Sequence, residues 1–165
     1  VEKELHQLLD ECISLSDEQE LEALKTVLSG VRNKLSGKNS TYIDGLLHMD
    51  RRLDHETCEI DIPITNVLDN TLGIVHGGFT ATILDTAMGT LANKLLPEGY
   101  AAVTSQINIH YLAPGIGDNL HCKATLIHKG RSTVVLEADV FRSDGRKIAH
   151  SSGSFFVVKK TAQIR

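Results

Sequence analysis

The stretch Ile74–Leu96, IVHGGFTATILDTAMGTLANKLL, decides the fold. It carries a glycine pair, Gly77-Gly78, near its start and meets no helix breaker before Pro97. At helical spacing, Phe79, Ile83, Ala87, Leu91 and Leu95 fall on one side, and Ala81, Leu84 and Met88 on another. A helix that is apolar around its axis is a buried helix. Between Ile74 and Asn93 the one formally charged residue is Asp85. A carboxylate in that setting must be hydrogen-bonded, paired or held for chemistry. His76, Gly77 and Gly78 stand at the amino end, where unpaired backbone N–H groups and the helix dipole favour negative charge.

After this helix, Pro97-Glu98-Gly99 breaks the pattern and the period changes to two. Val103, Ile107, Ile109 and Tyr111 alternate within Ala101–Leu112, then Leu120, Cys122, Ala124 and Leu126, then Val134, Leu136, Ala138 and Val140. Ile148–Val158 is the last such run, with Gly153 predicted to mark a bulge. The segments 114–118, 129–132 and 143–146 between them are turn-like, and Asp144-Gly145 favours a two-residue hairpin. Consecutive hairpins predict a four-strand antiparallel meander. Before the helix, Cys58, Ile60, Ile62 and Ile64 alternate, and Pro63 places that strand at an edge or at its end. Tyr42–Asp50 is a predicted first strand, weakened by Gly45, and Thr65–Gly73 is a loop.

Val1–Leu35 has a helical period instead. Leu5, Leu8, Leu9 and Cys12 form one stripe, and Leu21, Leu24, Val27, Leu28, Val31 and Leu35 another. Ser16 and Gln19 are spaced as a capping box between them. The spacing predicts an antiparallel helical hairpin that buries its stripes against the main domain or a sister subunit. Ser36–Ser40 is a linker by composition. The division is therefore an amino-terminal extension, 1–36, and a main domain, 41–160; the polar tail 159–165 is expected to fray. One apolar helix needs cover over most of its surface. A curved antiparallel sheet wrapped around it supplies that cover, an α+β arrangement.

The 165 residues allow one domain with a real core plus an appendage. A net charge of −4 argues against a nucleic-acid footprint, and the absence of Trp argues against base stacking. No apolar run approaches the roughly 20 residues of a membrane span. The acidic, helical start is not a signal peptide, and three scattered cysteines suit a reduced, cytoplasmic setting. The eight histidines form no HExxH or comparable ligand pair, so no metal is expected. Ser151-Ser152-Gly153-Ser154 is not a GxSxG elbow, which leaves a serine hydrolase without support.

Gly73-x-x-His76-Gly77-Gly78 followed by Leu84-Asp85-x-Ala87 resembles the hotdog-fold acyl-CoA thioesterases, of the phenylacetate-pathway (PaaI-like) group. The resemblance runs from about Tyr42 to Lys159 and leaves out the amino-terminal helices. It implies a sheet wrapped around a central helix and hydrolysis of an acyl-CoA to free acid and CoA. It implies Asp85 as nucleophile or general base, and the Gly77 N–H as the donor that polarises the thioester carbonyl. Asn70 would help hold the carbonyl or the water, and Thr104 would assist the carboxylate. His76 and Gly78 would border the substrate, and Lys129, Gly130 and Arg131 would hold the CoA phosphates. The implied assembly is a homodimer, or a dimer of dimers forming a homotetramer, with sites between subunits. No cofactor is implied beyond the CoA of the substrate.

The physical logic agrees with this. Thioester hydrolysis passes through an oxyanion, and a preorganised backbone donor is worth roughly 3–4 kcal/mol to it. Each residue also has a plainer role open to it. Asp85 could cap backbone, His76 could fix the turn, Asn70 could be an ordinary turn residue, and Thr104 a strand residue. Lys129 and Arg131 could be solvated turn charges. The alternative functions are a non-catalytic acyl-CoA-binding hotdog protein with a sensing role, and a hotdog dehydratase.

Overall fold

The structure, a computed structural model, describes residues 1–160. They form two compact units, Val1–His48 with Thr65–Val67, and Met49–Ile64 with the residues from Leu68 on.

The first unit holds α1 (Glu2–Leu15), α2 (Glu18–Leu35) and α3 (Tyr42–Leu46). The capping box of α2 lies one residue beyond the expected one. The Asp17 carboxylate accepts from the Glu20 N–H, and the Glu20 carboxylate from the Asp17 N–H, each at 2.9 Å. The Ser16 hydroxyl is spent elsewhere, donating to the Cys12 carbonyl at 2.7 Å. The strand expected over Tyr42–Asp50 is instead α3, because Thr41 and Asp44 close a second reciprocal cap. Its Gly45 serves a close crossing with α2. A Cβ built on Gly30 would meet the Gly45 carbonyl oxygen at 2.6 Å, and one on Gly45 would meet the Gly30 carbonyl oxygen. The stripe of α1 stays open: no residue of this helix is buried, and Leu5 and Leu8 are 60% and 57% exposed.

The second unit holds β1 (Asp50–Leu53), β2 (Thr57–Pro63), α4 (Gly77–Lys94), β3 (Tyr100–Tyr111), β4 (Asn119–Lys129), β5 (Thr133–Arg142) and β6 (Lys147–Lys159). Among the described residues the six strands form one sheet in the order β1-β2-β4-β5-β6-β3, every pair antiparallel. Only β4–β5–β6 run as a meander. β3 lies beyond β6, so the chain after it crosses to the other side of the sheet to enter β4 beside β2. The segment 114–118 is thus a crossover and not a tight turn. Its carbonyl groups are taken by distant donors, Gly115 by the Val75 N–H at 2.9 Å and Asp118 by the Ile64 N–H at 2.8 Å. Pro63 ends β2 opposite Asn119, as its missing N–H requires.

The helix α4 packs against β2, β3, β4, β5 and β6. Its buried stripe is Ile83, Leu84, Ala87, Met88, Leu91 and Ala92, against inward residues such as Ile60, Cys122, Leu136 and Phe155. The opposite face, including Asp85, is half-buried rather than enclosed. Two thiols lie in this core; burial pushes Cys58 up to about 11 and Cys122 higher, which leaves neither as a nucleophile.

Two bulges change which residues face α4. In β3 the register shifts between Thr104 and Gln106, so Thr104 shares the inner face with Ile107, Ile109 and Tyr111. Val103, expected inside by alternation, points outward and is 51% exposed. The Ser105 hydroxyl pins the bulge by donating to the Ser154 carbonyl at 2.9 Å. In β4 the shift between Leu126 and His128 turns Lys129 inward. Gly153 marks no bulge. It pairs regularly with Ile107 and Leu136 and makes room for α4, since a Cβ there would lie 3.2 Å from Met88 Cε. The β5–β6 loop has three residues, Ser143 to Gly145, not two. The Gly145 N–H donates to the Arg142 carbonyl, the Arg142 N–H to the Arg146 carbonyl, and Gly145 takes positive φ. Lys159 pairs with Tyr100 inside the sheet, and the tail from 161 lies outside the described residues.

Candidate active site

The amino end of α4 is built by His76, its N-cap residue. The imidazole Nδ1 accepts the Gly78 N–H at 2.9 Å. Gly78 has no side chain to obstruct this; a Cβ there would lie 3.0 Å from that nitrogen. The His76 carbonyl accepts from the Phe79 N–H at 2.9 Å, and its N–H donates to the Leu68 carbonyl at 2.8 Å. With these bonds made, the Gly77 N–H has no acceptor among the described residues. One oriented donor is thus left open at the positive end of the helix dipole.

This donor borders a cleft of 410 Å³ whose walls include Asn70, Gly77, Thr80, Tyr111, Pro114 and Ile148. Asn70 closes the turn before the helix: its Oδ1 accepts the Leu72 N–H at 2.8 Å and its N–H donates to the Ile74 carbonyl at 2.9 Å. It is therefore both a turn residue and a wall of the cleft, beside Gly77. Sequence reasoning missed Tyr111. Its Oη donates to the Gly77 carbonyl at 2.9 Å and its ring lies against the Gly77 Cα. Alternation placed it inside, but no local signal connects two residues 34 apart.

Asp85 sits two turns further along α4 and is half-buried. Its Oδ1 accepts the Thr104 hydroxyl at 2.9 Å, and no cation pairs with it among the described residues. Asn93, a second residue that the sequence did not single out, fixes β3 to the helix. Its Oδ1 accepts the Ala102 N–H at 3.0 Å, two residues before Thr104. The β3 bulge and this clamp together bring the threonine to the acid.

The structure does not bring the two halves together within one chain. Eight residues separate Gly77 from Asp85, about 12 Å along a helix axis. Lys129, with Gly130 and Arg131 next in the chain, meets the opposite end of α4 at Leu95, about 27 Å from Gly77 by the same rise. Lys129 Nζ donates to the Leu95 carbonyl at 2.5 Å, a cation on the negative end of the dipole. The Gly130 N–H closes the β4–β5 connection onto the Thr133 carbonyl at 2.8 Å. Arg131 is exposed and makes no ion pair or hydrogen bond among the described residues.

No helix among the described residues is long and apolar enough to cross a membrane. A family model described as the thioesterase superfamily matches residues 72–149, the span from the turn before α4 into β6. The crystal structure of the BH2602 protein from Bacillus halodurans, solved with CoA, is 37% identical, with a TM-score of 0.84 over 90% of this chain and 99% of that one. A putative esterase of Halobacterium salinarum is 36% identical over 95 residues, 53% of this chain and 62% of that protein. Mouse acyl-coenzyme A thioesterase 13 is 32% identical over 82 residues, 48% of this chain and 58% of that protein. This chain thus spans about three-fifths of the length of those two relatives. The likeness to the Bacillus protein over nearly its whole length, the matched family model and the sheet folded around α4 together show that this chain belongs to the thioesterase superfamily, an enzyme family built on the hotdog fold.

Proposed function

We propose that the protein is an acyl-CoA thioesterase of the PaaI-like group, acting in the cytoplasm as a homodimer or as a homotetramer of paired dimers. The observation that carries this is the pair of prepared groups on α4: a carboxylate oriented by Thr104 and a backbone donor left open at Gly77. The thioester oxygen sits on the Gly77 N–H, with Asn70 beside it. Asp85 takes a proton from water as the water oxygen bonds to the carbonyl carbon. The tetrahedral oxyanion collapses, the C–S bond breaks, and the proton passes to the CoA sulfur. Free acid and CoA leave, and no metal or redox group enters the balance. In the nucleophilic variant Asp85 attacks the carbonyl carbon, the C–S bond breaks with CoA leaving as thiolate, and water then opens the mixed anhydride, its proton passing to the CoA sulfur.

Reacting atoms must stand within about 3–3.5 Å, so groups about 12 Å apart on one helix cannot share a thioester. Asp85 of one copy and Gly77 of another complete the site. Arg131, which has no ion pair or hydrogen bond among the described residues, is a cation for CoA phosphates; Lys129 takes part by leaving its cap. The CoA-bound Bacillus structure supports this substrate class. In this reading residues 1–36 are an extension and 41–160 the thioesterase domain.

A panel of acyl-CoAs with a thiol reagent tests the proposal. The expected outcome is CoA release by the parent and a loss of about 10²–10⁴-fold in Asp85→Asn, the range for a positioned acid–base group. Equal release by both would remove Asp85 from the mechanism. No release from any acyl-CoA would remove the activity.

A further inference from the structure

We propose that Tyr111 is the positioning residue of the oxyanion donor; the inference rests on the thioesterase reading above and adds a part to it. Tyr111 closes β3 on the same inner face as Thr104. One strand thereby serves both halves of the chemistry, Thr104 at the acid and Tyr111 at the donor. The Tyr111 Oη donates to the Gly77 carbonyl at 2.9 Å, and three atoms of its phenol group would lie 3.3–3.5 Å from a Cβ built on Gly77.

Gly77 needs such a hold. The first N–H groups of a helix have no partners within it, and glycine has the widest backbone freedom of any residue. The peptide carrying the Gly77 N–H is anchored before it by His76, through the Leu68 carbonyl and the Phe79 N–H. After it, Tyr111 holds the Gly77 carbonyl. The donor is pinned from both sides before substrate arrives, and a fixed dipole has no reorganisation to undergo in the transition state. The contact is not explained by packing of the core. Tyr111 is 55% exposed, and its hydroxyl bonds to Gly77 alone among the described residues. The ring also borders the 410 Å³ cleft, so a carbonyl that reaches Gly77 passes against it.

The test uses the full chain, the parent beside Tyr111→Phe, which keeps the ring and removes the hydrogen bond. Hydrolysis is followed over the acyl-CoA panel. In parallel, calorimetry measures binding of free CoA and of a ketone analogue in which methylene replaces the thioester sulfur. The expected result is kcat lowered about tenfold with KM within about twofold, the scale of one lost hydrogen bond. The ketone should bind more weakly by a similar factor, with CoA affinity and melting temperature unchanged. Unchanged kcat and ketone affinity would overturn the inference. So would equal weakening toward ketone and CoA, or a loss that follows a lowered melting temperature. If the parent hydrolyses no acyl-CoA, the thioesterase reading falls, and the ketone-against-CoA comparison still decides Tyr111. A parent that binds the ketone no better than CoA has no donor contact to position, and the inference falls with it.

Discussion

Asp85 was legible in the sequence because a lone carboxylate within an apolar helix requires a reason. Its partner Thr104 was named through the family resemblance, and strand alternation alone would not have found it. Thr104 reaches it only because a bulge reverses the alternation that put Val103 inside. Gly77 was legible as a glycine at a helix start, whereas Tyr111 and Asn93 act across the fold and leave no mark on neighbouring residues. His76 proved to be the cap of α4, and that bond is what leaves Gly77 as the open donor. Away from the site, Asp139 on the outer face of the sheet accepts from Lys147 at 2.7 Å and His150 at 2.8 Å. Partial burial pushes its carboxyl up, but the two donors outweigh this and hold it below the ordinary value of 3.8. A carboxyl whose folded pKa lies below its unfolded one stabilises the fold above the unfolded value, and that gain is lost as pH falls through the folded value. Asp139→Asn should therefore cost under about 1 kcal/mol at neutral pH, and the gap should close as the medium is acidified. Urea midpoints at neutral pH and stepwise down to the acid limit of folding check this; a gap that stays constant would be against it.

At the level of elements, helices, strands and most boundaries followed from period. The failures have definite causes. The stretch from Tyr42 was read as a strand, but a reciprocal cap at Thr41 and Asp44 starts a helix there. Gly45 was taken to weaken that strand, whereas it permits α3 to touch α2. The two kinds of tight glycine should respond differently. Gly30→Ala drives a methyl into the Gly45 backbone, which cannot move aside, and should cost about 1–3 kcal/mol or more. Gly153→Ala meets the end of the Met88 side chain, which can swing away, and should cost less. Chemical denaturation of both variants gives the order; Gly153→Ala as the more damaging change would contradict it.

For the whole molecule, the sheet order was the least legible feature. β3 and β4 are neighbours in sequence and look like a hairpin, but alternation cannot say on which margin of a sheet a strand lies. The hotdog reading itself rested on the resemblance carried by the HGG stretch, and the strand pattern agreed with it. The spacing of about 12 Å between Gly77 and Asp85 leads to a test of shared sites. Asp85→Asn and Asn70→Ala should each be nearly inactive alone. Co-refolded, mixed oligomers regain up to about a quarter of parental activity, because half the chains pair with the other variant and each such pair has one intact site. Activity no greater than the sum of the two separate variants would place both residues in one chain's site.

The crossover after β3 has one more consequence. Gly115 receives the Val75 N–H and lines the cleft, while Asp85 and Thr104 lie outside it, on α4 and at the bulge of β3. In the thioesterase reading proposed above, the acid with its threonine and this part of the cleft wall are thus encoded in separate stretches of chain. On that reading, recomposing 113–118 reshapes the wall of the cleft and leaves the contact between Asp85 and Thr104 in place.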